Sequence, residues 1–302
     1  MQHTIIESID RVTDDVVSLL LRGASGPLAP WAPGAHVDLA LPNWLTRQYS
    51  LCGDPADPER YRVAVRHDRL SRGGSEYVHR FLDPGRGLEV SLPRNHFALQ
   101  HAPEYLFLAG GIGITPLRPM LREAVDRGVP ATLVHVGRSL PSMPFAEELR
   151  AEHGERVRVF DTERRGRPDF AELAAGLGPD ALIYCCGPGS MISAAESAFP
   201  AGRLRVERFQ PAARTFPPNT AFEVDCARTG RTVRVGPEDT VLDALNHAGY
   251  ALPSGCREGV CGSCELTVLD GEPEHRDDIG APEGRMYSCV SRAATPRLTV
   301  DL

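Results

Sequence analysis

Three cysteines fall within nine residues in "CREGVCGSC", Cys256, Cys261 and Cys264, and a fourth, Cys289, follows after 24 intervening positions. No other feature narrows the fold so much, because the fate of these thiols sets what must surround them. A disulfide staple, a zinc site and an electron-carrying centre each ask for a different spacing. The chain opens with "MQHTIIESIDRVTDD", which meets acidic residues before any long apolar run. That argues against a cleaved leader and makes a cytoplasmic protein the expectation. In a reducing compartment a tight cysteine cluster points to metal or redox chemistry before disulfides.

The spacing is C-x4-C-x2-C with a distant fourth cysteine. Zinc ribbons and fingers use paired C-x2-C knuckles or Cys/His pairs. Here one knuckle lacks a counterpart, and Cys289 stands alone in "YSCVS". The spacing instead fits a plant-type 2Fe–2S site, with zinc and purely structural thiols as the competing readings. Gly255, Gly259, Gly262 and Ser263 lie among the candidate ligands. Glycine lets backbone N–H groups approach cluster sulfurs closely. Cys226 lies outside the pattern and reads as a core residue. His275 in "PEHRD" reads as a surface hydrogen-bonder, since four thiolates complete the site.

At 302 residues the chain is expected to hold two or three domains. Residues 1–101 carry short alternating runs punctuated by Gly, Pro and Asp, as in an antiparallel β-barrel, with one helix near 75–83. Residues 102–210 alternate strand and helix, which predicts a parallel sheet covered on both faces. Residues 211–220, rich in Pro, Ala and Thr, read as a linker. Residues 221–302 combine a hairpin turning at Thr229-Gly230 with a helix capped by Thr240, immediately before the cysteine loop.

Net charge is −7, which disfavours nucleic-acid binding. No segment has the length of a membrane span. Residues 220–302 hold 8 Arg against 14 acidic residues, so the acidity sits near the C-terminus. It serves either plain solubility or docking to a basic partner.

Two further stretches carry chemistry. In "SRGGS", Gly73, Gly74 and Ser75 open a helix, and free N–H groups at a helix start receive an anion. A compact site of this kind suits one phosphate. In "LAGGIGITP", Gly110, Gly111 and Gly113 join a strand to a helix, with Thr115 opening that helix. The turn is either a pyrophosphate site or a tight packing turn. "YCCGP" contributes Cys186, Gly187 and Pro188 at the end of a later strand, with Cys185 as a core neighbour. Ligands of open α/β sheets bind beyond such strand ends. Arg138 could meet a 2′-phosphate, a diphosphate or solvent. Asp161 could accept from an adenosine or cap a loop.

In this order "RQYSLCGDP", "RGGS", "SLPRNHF", "AGGIGITP", "YCCGP" and the cysteine set resemble the phthalate dioxygenase reductase family, which includes vanillate-type O-demethylase reductases. The resemblance spans nearly the whole chain. It implies a β-barrel flavin domain, an α/β nicotinamide domain and a β-grasp plant-type ferredoxin domain. It implies FMN, NADH and a 2Fe–2S cluster as cofactors. Arg47 would reach the flavin phosphate, Tyr49 would pack on the flavin, and Ser50 would lie near its N5, with Val65 and Arg66 as a further wall. Thr115 and Cys186 would contact the nicotinamide. Phe209 would stack over the flavin, or else be an ordinary core aromatic. A nicotinamide gives two electrons and a cluster takes one, and a flavin handles both. The implied function is an NADH-dependent reductase serving a separate terminal oxygenase, Rieske-type or haem-thiolate. A non-catalytic redox sensor is the remaining alternative.

Overall fold

Alternation of apolar and polar residues over the first ninety positions produces six strands. They are β1 (Gln2–Thr13), β2 (Val16–Gly23), β3 (His36–Ala40), β4 (Thr46–Ser50), β5 (Arg60–Arg66) and β6 (Gly87–Val90). The computed structural model describes residues 1–68 and 73–302. The strands pair antiparallel in the order β4-β3-β6-β1-β2-β5. A bridge between Leu51 and Val63 and a 2.8 Å bond from the Cys52 N–H to the Arg62 carbonyl join the two outer strands. The sheet thus closes into the expected barrel, which removes its free edges. Ile6, Leu19, Leu21, Val37, Leu39 and Val63 fill its interior. Helix α1 (Gly74–Phe81) packs Val78 against that core.

The strand–helix rhythm that follows gives β7 (Tyr105–Gly110), α2 (Ile114–Asp126), β8 (Ala131–Gly137), α3 (Ala146–His153), β9 (Val157–Asp161), α4 (Thr162–Arg165), α5 (Phe170–Ala175), β10 (Leu182–Cys186), α6 (Gly189–Ala198) and β11 (Leu204–Glu207). The strands form a parallel sheet in the order β11-β10-β7-β8-β9. Every residue of β7 is buried because both faces are covered. Phe107 packs with Leu117, Leu121 and Leu149 on one side, and Leu106 and Leu108 pack with Ile192 and Phe199 on the other. The connections reverse between β7 and β10, so their carboxyl ends flank the switch-point crevice where α/β sheets bind ligands.

Barrel and parallel sheet share a core, in which Val16, Cys52 and Ala64 join Phe107, Leu117 and Leu133. Arg62 and Arg118 each lie 4.9 Å from the Phe145 ring centroid, and Arg118 also donates to the Cys52 carbonyl at 3.1 Å. Together these regions make one compact unit, Met1–Glu207.

The second unit, Arg208–Leu302, has its own core. Residues 211–220 contain no helix or strand. Beyond them come β12 (Phe222–Cys226), β13 (Arg231–Val235), α7 (Val241–His247), β14 (Glu265–Asp270), β15 (Pro273–Glu274), β16 (Arg285–Tyr287), β17 (Arg292–Ala293) and β18 (Arg297–Val300). The main sheet runs β13-β12-β18-β14-β16, with β12 and β18 parallel. Helix α7 lays Val241, Ala244 and Leu245 across it, as in the expected β-grasp. The Thr240 hydroxyl caps α7 by accepting from the Asp243 N–H at 3.0 Å. Cys226 is buried in this core, as its isolation in the sequence suggests. Among the described residues no helix is long and apolar enough to cross a membrane.

Candidate cofactor sites

The long loop from α7 to β14 carries Cys256, Cys261 and Cys264, and Cys289 sits just after β16. Ser288 brings the distant cysteine into place. Its N–H and its hydroxyl both donate to the Cys264 carbonyl, at 3.1 and 3.0 Å, and its own carbonyl accepts from the Leu242 N–H. Cys256 makes side-chain hydrogen bonds with Cys261 and Cys289, and Cys289 with Cys264, so all four sulfurs converge. The neighbouring thiols hold Cys256 well below the ordinary thiol value and push Cys289 up.

Backbone amides point at the sulfurs. Glu258 N–H donates to Cys256 at 3.3 Å, Cys256 N–H to Cys261 at 3.4 Å, and Ser263 N–H to Cys261 at 3.5 Å. The loop achieves this with left-handed backbone at Arg257, Gly259 and Gly262. Among the described residues no three Cys, His, Asp or Glu side chains are arranged around a single metal ion. Four thiols in linked pairs with inward N–H groups fit a two-iron cluster, which shares its ligands between two metals.

On the barrel, β4 carries Arg47, Tyr49 and Ser50. Tyr49 packs on the barrel core, and burial pushes its phenol well above the usual value. Ser50 is buried opposite His36. Arg47 lies against the start of α1. A methyl group on Gly74 would come within 2.6 Å of the Arg47 side chain, so glycine there is what lets the guanidinium approach the helix end. Gly73 caps α1 in the left-handed region, at φ +83°. An arginine at the amide end of a helix makes a cationic cradle for a phosphate. The Ser75 hydroxyl is engaged with the Asp68 backbone, accepting from its N–H at 3.1 Å. Ser71 and Arg72 of the same motif lie outside the described residues. At the end of β5, Val65 is buried and Arg66 exposed, and β5 runs beside the 111–113 turn. The candidate flavin and nicotinamide stretches are therefore neighbours in one unit.

At the switch point the turn after β7 meets the turn after β10. A Cβ on Gly113 would lie 2.1 Å from the Cys186 carbonyl oxygen, and one on Gly110 would lie 2.5 Å from Pro188. A Cβ on Gly187 would lie 2.9 Å from the Gly110 Cα. Packing therefore accounts for Gly110, Gly113 and Gly187. Gly111 differs, with φ +54° and nothing within 4 Å of the missing side chain. Thr115, at the start of α2, is buried and donates to the Ile112 carbonyl at 3.0 Å.

Two residues here escaped the sequence reading. His135 on β8 is fully buried and its Nε2 meets the Gly111 carbonyl at 3.2 Å, steadying the open turn. Burial lowers its pKa to about 4, which keeps it neutral. Glu207 pairs with Cys186 across β10 and β11, its carboxylate 3.9 Å from the Cys186 sulfur. Desolvation raises Glu207 to about 8 and pushes the Cys186 thiol up as well. A glutamate in the last expected strand of the parallel sheet, "RLRVERF", was the available signal. Arg138 follows β8 and offers its carbonyl to the Glu163 N–H at 3.1 Å. The Asp161 side chain caps α4, accepting from Glu163 and Arg164. Phe209, 40% exposed, belongs to the second unit.

Comparison with known proteins agrees with this geometry. The "2Fe-2S iron-sulfur cluster binding domain" model matches residues 224–294, and the "Oxidoreductase NAD-binding domain" model matches 107–197. Phthalate dioxygenase reductase of Burkholderia cepacia is 32% identical, covering 98% of this chain and 96% of its own length. The chain belongs to the phthalate dioxygenase reductase family. A solved structure of a phthalate dioxygenase reductase, described as modular for electron transfer from pyridine nucleotides to [2Fe-2S], superposes with a TM-score of 0.73 over 99% of this chain and 97% of that one. Within the same similarity lies a phenoxybenzoate dioxygenase subunit beta of Ectopseudomonas oleovorans, 42% identical over 98% of this chain and 96% of the relative. An intact type IV self-sufficient cytochrome P450 monooxygenase matches at 39% identity and a TM-score of 0.91, and this chain spans 41% of it.

Proposed function

We propose that this member of the phthalate dioxygenase reductase family is an NADH-dependent reductase that feeds single electrons to a separate terminal oxygenase. The carrying observation is the convergence of four thiols, with amides directed at them, in a chain that also holds a helix start with an arginine beside it and an open switch-point turn. When bound, FMN accepts two electrons from NADH and releases them singly, and the 2Fe–2S cluster relays them outward.

The protein's own groups do the holding. Arg47 and the α1 start, with Gly73, Gly74 and Ser75, neutralise and orient the flavin phosphate. Tyr49, Ser50, Val65 and Arg66 wall the ring system. Gly110, Gly111, Gly113 and Thr115 receive the nucleotide at the start of α2, beside Cys186, Gly187 and Pro188, with Arg138 and Asp161 toward the adenosine. Glu207, half-buried beside Cys186 with its carboxyl raised to about 8 by desolvation, can hold a proton at that wall. Cys256, Cys261, Cys264 and Cys289 ligate the cluster. The proposed domains are 1–101, 102–210 and 221–302, joined through 211–220, in a cytoplasmic protein.

The test is NADH-driven reduction of ferricyanide and cytochrome c by the purified holoprotein, with the acid-released flavin identified by chromatography. Turnover of both acceptors and release of FMN are expected. No turnover with flavin and cluster bound would leave only the redox-sensor reading, and FAD would overturn the single-phosphate site. A second reading, delivery to a haem-thiolate monooxygenase, is favoured by the similarity to the self-sufficient P450. Product formation on adding a Rieske-type oxygenase, compared with a haem-thiolate oxygenase, separates the two.

A further inference from the structure

The segment 211–220 has the composition of a linker, and the cluster-binding family model begins only at residue 224. Its polar contacts nevertheless lead to the cysteine loop, all inside the second unit. The Asp278 side chain is only 4% exposed. One carboxylate oxygen accepts from the Ala212 N–H at 2.6 Å, and the other pairs with the Arg214 guanidinium. The same guanidinium donates to the Asp277 carbonyl at 3.1 Å. Arg214 therefore grips the Asp277–Asp278 pair by backbone and side chain at once. Removing it leaves a buried carboxylate short of its charge partner, which proteins tolerate poorly.

Asp278 passes this hold to the loop. Its N–H donates to the Gly259 carbonyl at 3.0 Å. The two segments are in tight contact there, since a Cβ on Gly259 would lie 3.0 Å from the Asp277 Cα and 2.8 Å from a Val290 methyl carbon. The other end of the Gly259–Val260 peptide is the Val260 N–H. It donates to the Cys256 sulfur, as the Glu258 N–H does at 3.3 Å. One planar peptide thus has its oxygen held by Asp278 and its hydrogen aimed at a ligand sulfur. Hydrogen bonds in such a chain also polarise one another, which strengthens the bond to sulfur. The rest of the segment meets Arg276 instead, which lies 4.7 Å over the Phe216 ring and donates to Asn219 at 2.8 Å.

We propose that Arg214 and Asp278 are positioning residues for the 2Fe–2S cluster, which fix the Gly259–Val260 peptide so that its N–H bonds the Cys256 sulfur and raises the reduction potential of the cluster. The proposal rests on the cluster reading above. A reduced cluster carries one more negative charge than an oxidised one. An amide aimed at its sulfur therefore stabilises the reduced form more.

The experiment is a redox titration of the holoprotein, followed by the electron paramagnetic resonance signal of the reduced cluster. Weakening one hydrogen bond to an anionic acceptor changes the hold on the added electron about tenfold. For a one-electron couple that is a fall of about 59 mV, expected in Arg214→Ala. Arg214→Lys keeps the charge and should restore part of it. Asp278→Asn separates positioning from charge. It removes a negative charge, which by itself would raise the potential, whereas a loosened peptide lowers it. A fall is expected, and a rise or an unchanged potential in Asp278→Asn overturns the proposal. Phe216→Ala, which touches only the Arg276 end of the segment, should keep the parent potential. A fall there equal to that of Arg214→Ala would make the effect a general loosening and overturn the assignment. Hydrogen exchange of residues 256–264, read by mass spectrometry, judges the peptide without any electron transfer and decides the case if Arg214→Ala fails to retain the cluster. Exchange should quicken in Arg214→Ala and Asp278→Asn and stay at the parent rate in Phe216→Ala. Equal exchange in all three overturns the proposal. If the parent itself gives no 2Fe–2S signal on reduction, the cluster reading fails, and the exchange result still decides whether Arg214 and Asp278 hold the peptide.

Discussion

The switch-point turn, Gly110–Gly113, and the thiol loop, Cys256–Cys264, are both rich in glycine, and for different reasons. In the turn, Gly110 and Gly113 are required by what packs on them, since Cys186 and Pro188 occupy the places of their side chains. In the loop, Gly259 and Gly262 have φ of +73° and +75°, a backbone shape that aims amides at sulfur. At Gly259 the two demands meet, because Val290 also lies 2.8 Å from the missing Cβ. One glycine-rich segment is thus built by contact with the rest of the sheet, and the other by its own conformation around an expected ligand. The first should fail as a loss of stability. The second should fail as a loss of cofactor.

The largest effect expected is at Cys261. Cys261→Ser removes the sulfur that accepts the Cys256 and Ser263 amides, at 3.4 and 3.5 Å. Cluster absorbance and cytochrome c reduction should fall to the level of protein with no cluster, while ferricyanide reduction persists. The melting transition of the first unit should not move. A drop in that transition would erase the contrast between the two segments, and surviving cytochrome c reduction would remove the cluster from the exit path.

The next effect concerns pH and the switch-point turn alone. His135 has a folded pKa of about 4 against an ordinary 6.5 because burial desolvates it, an effect its hydrogen bond to the Gly111 carbonyl only partly offsets. The unfolded chain therefore binds the proton more readily. The stability due to neutral His135 is complete above pH 6.5 and is lost as pH falls from there through 4. The loss amounts to about 3 kcal/mol, at 1.36 kcal/mol per unit. His135→Gln keeps a donor for Gly111 and has no titration. Urea unfolding of the first unit at pH 7 and pH 4.5 should show the difference shrinking in the variant. An equal pH dependence in both would place the acid sensitivity elsewhere.

Gly113→Ala tests packing directly. Its methyl group meets backbone, not a movable side-chain tip, so strands β7 and β10 must part. A loss of about 2–3 kcal/mol is expected from overpacking, read as a lowered urea midpoint with cluster absorbance intact. A loss under about 0.5 kcal/mol, the range of neutral surface changes, would show that the two turns do not press together.

Much of this was legible in the sequence, to the extent that the signal was local. Spacing identified Cys256, Cys261 and Cys264, because ligands in one loop sit at fixed offsets. Cys289 could be counted, yet the means of bringing it in, Ser288 bonded to Cys264, belongs to tertiary structure. Strand and helix alternation gave the layers because periodicity follows burial. The pairing of Gly113 with Cys186 and of Cys186 with Glu207 was hidden, since strand order sets those neighbours and no spacing encodes it. The contacts of the linker segment were hidden for a related reason. Its composition is that of a flexible segment, while its partners Asp278 and Arg276 lie about sixty positions away in sequence.

The smallest effect should come from Gly111, and it sharpens the comparison most. Gly111 has the left-handed φ of the thiol-loop glycines and sits in the turn governed by packing, yet its side-chain position is empty. Gly111→Ala should therefore cost only about 1 kcal/mol of stability, from backbone strain without a clash. That is less than Gly113→Ala two positions away. If the open side is where the nucleotide lies, the added methyl group should raise KM for NADH severalfold and change kcat less, because it obstructs binding and leaves the Cys186 wall in place. A stability loss equal to that of Gly113→Ala would mean the space beside Gly111 is filled by the protein itself. An unchanged KM alongside the small stability loss would move the nucleotide away from this face of the turn and leave Gly111 as a purely conformational glycine, like those that hold the thiol loop.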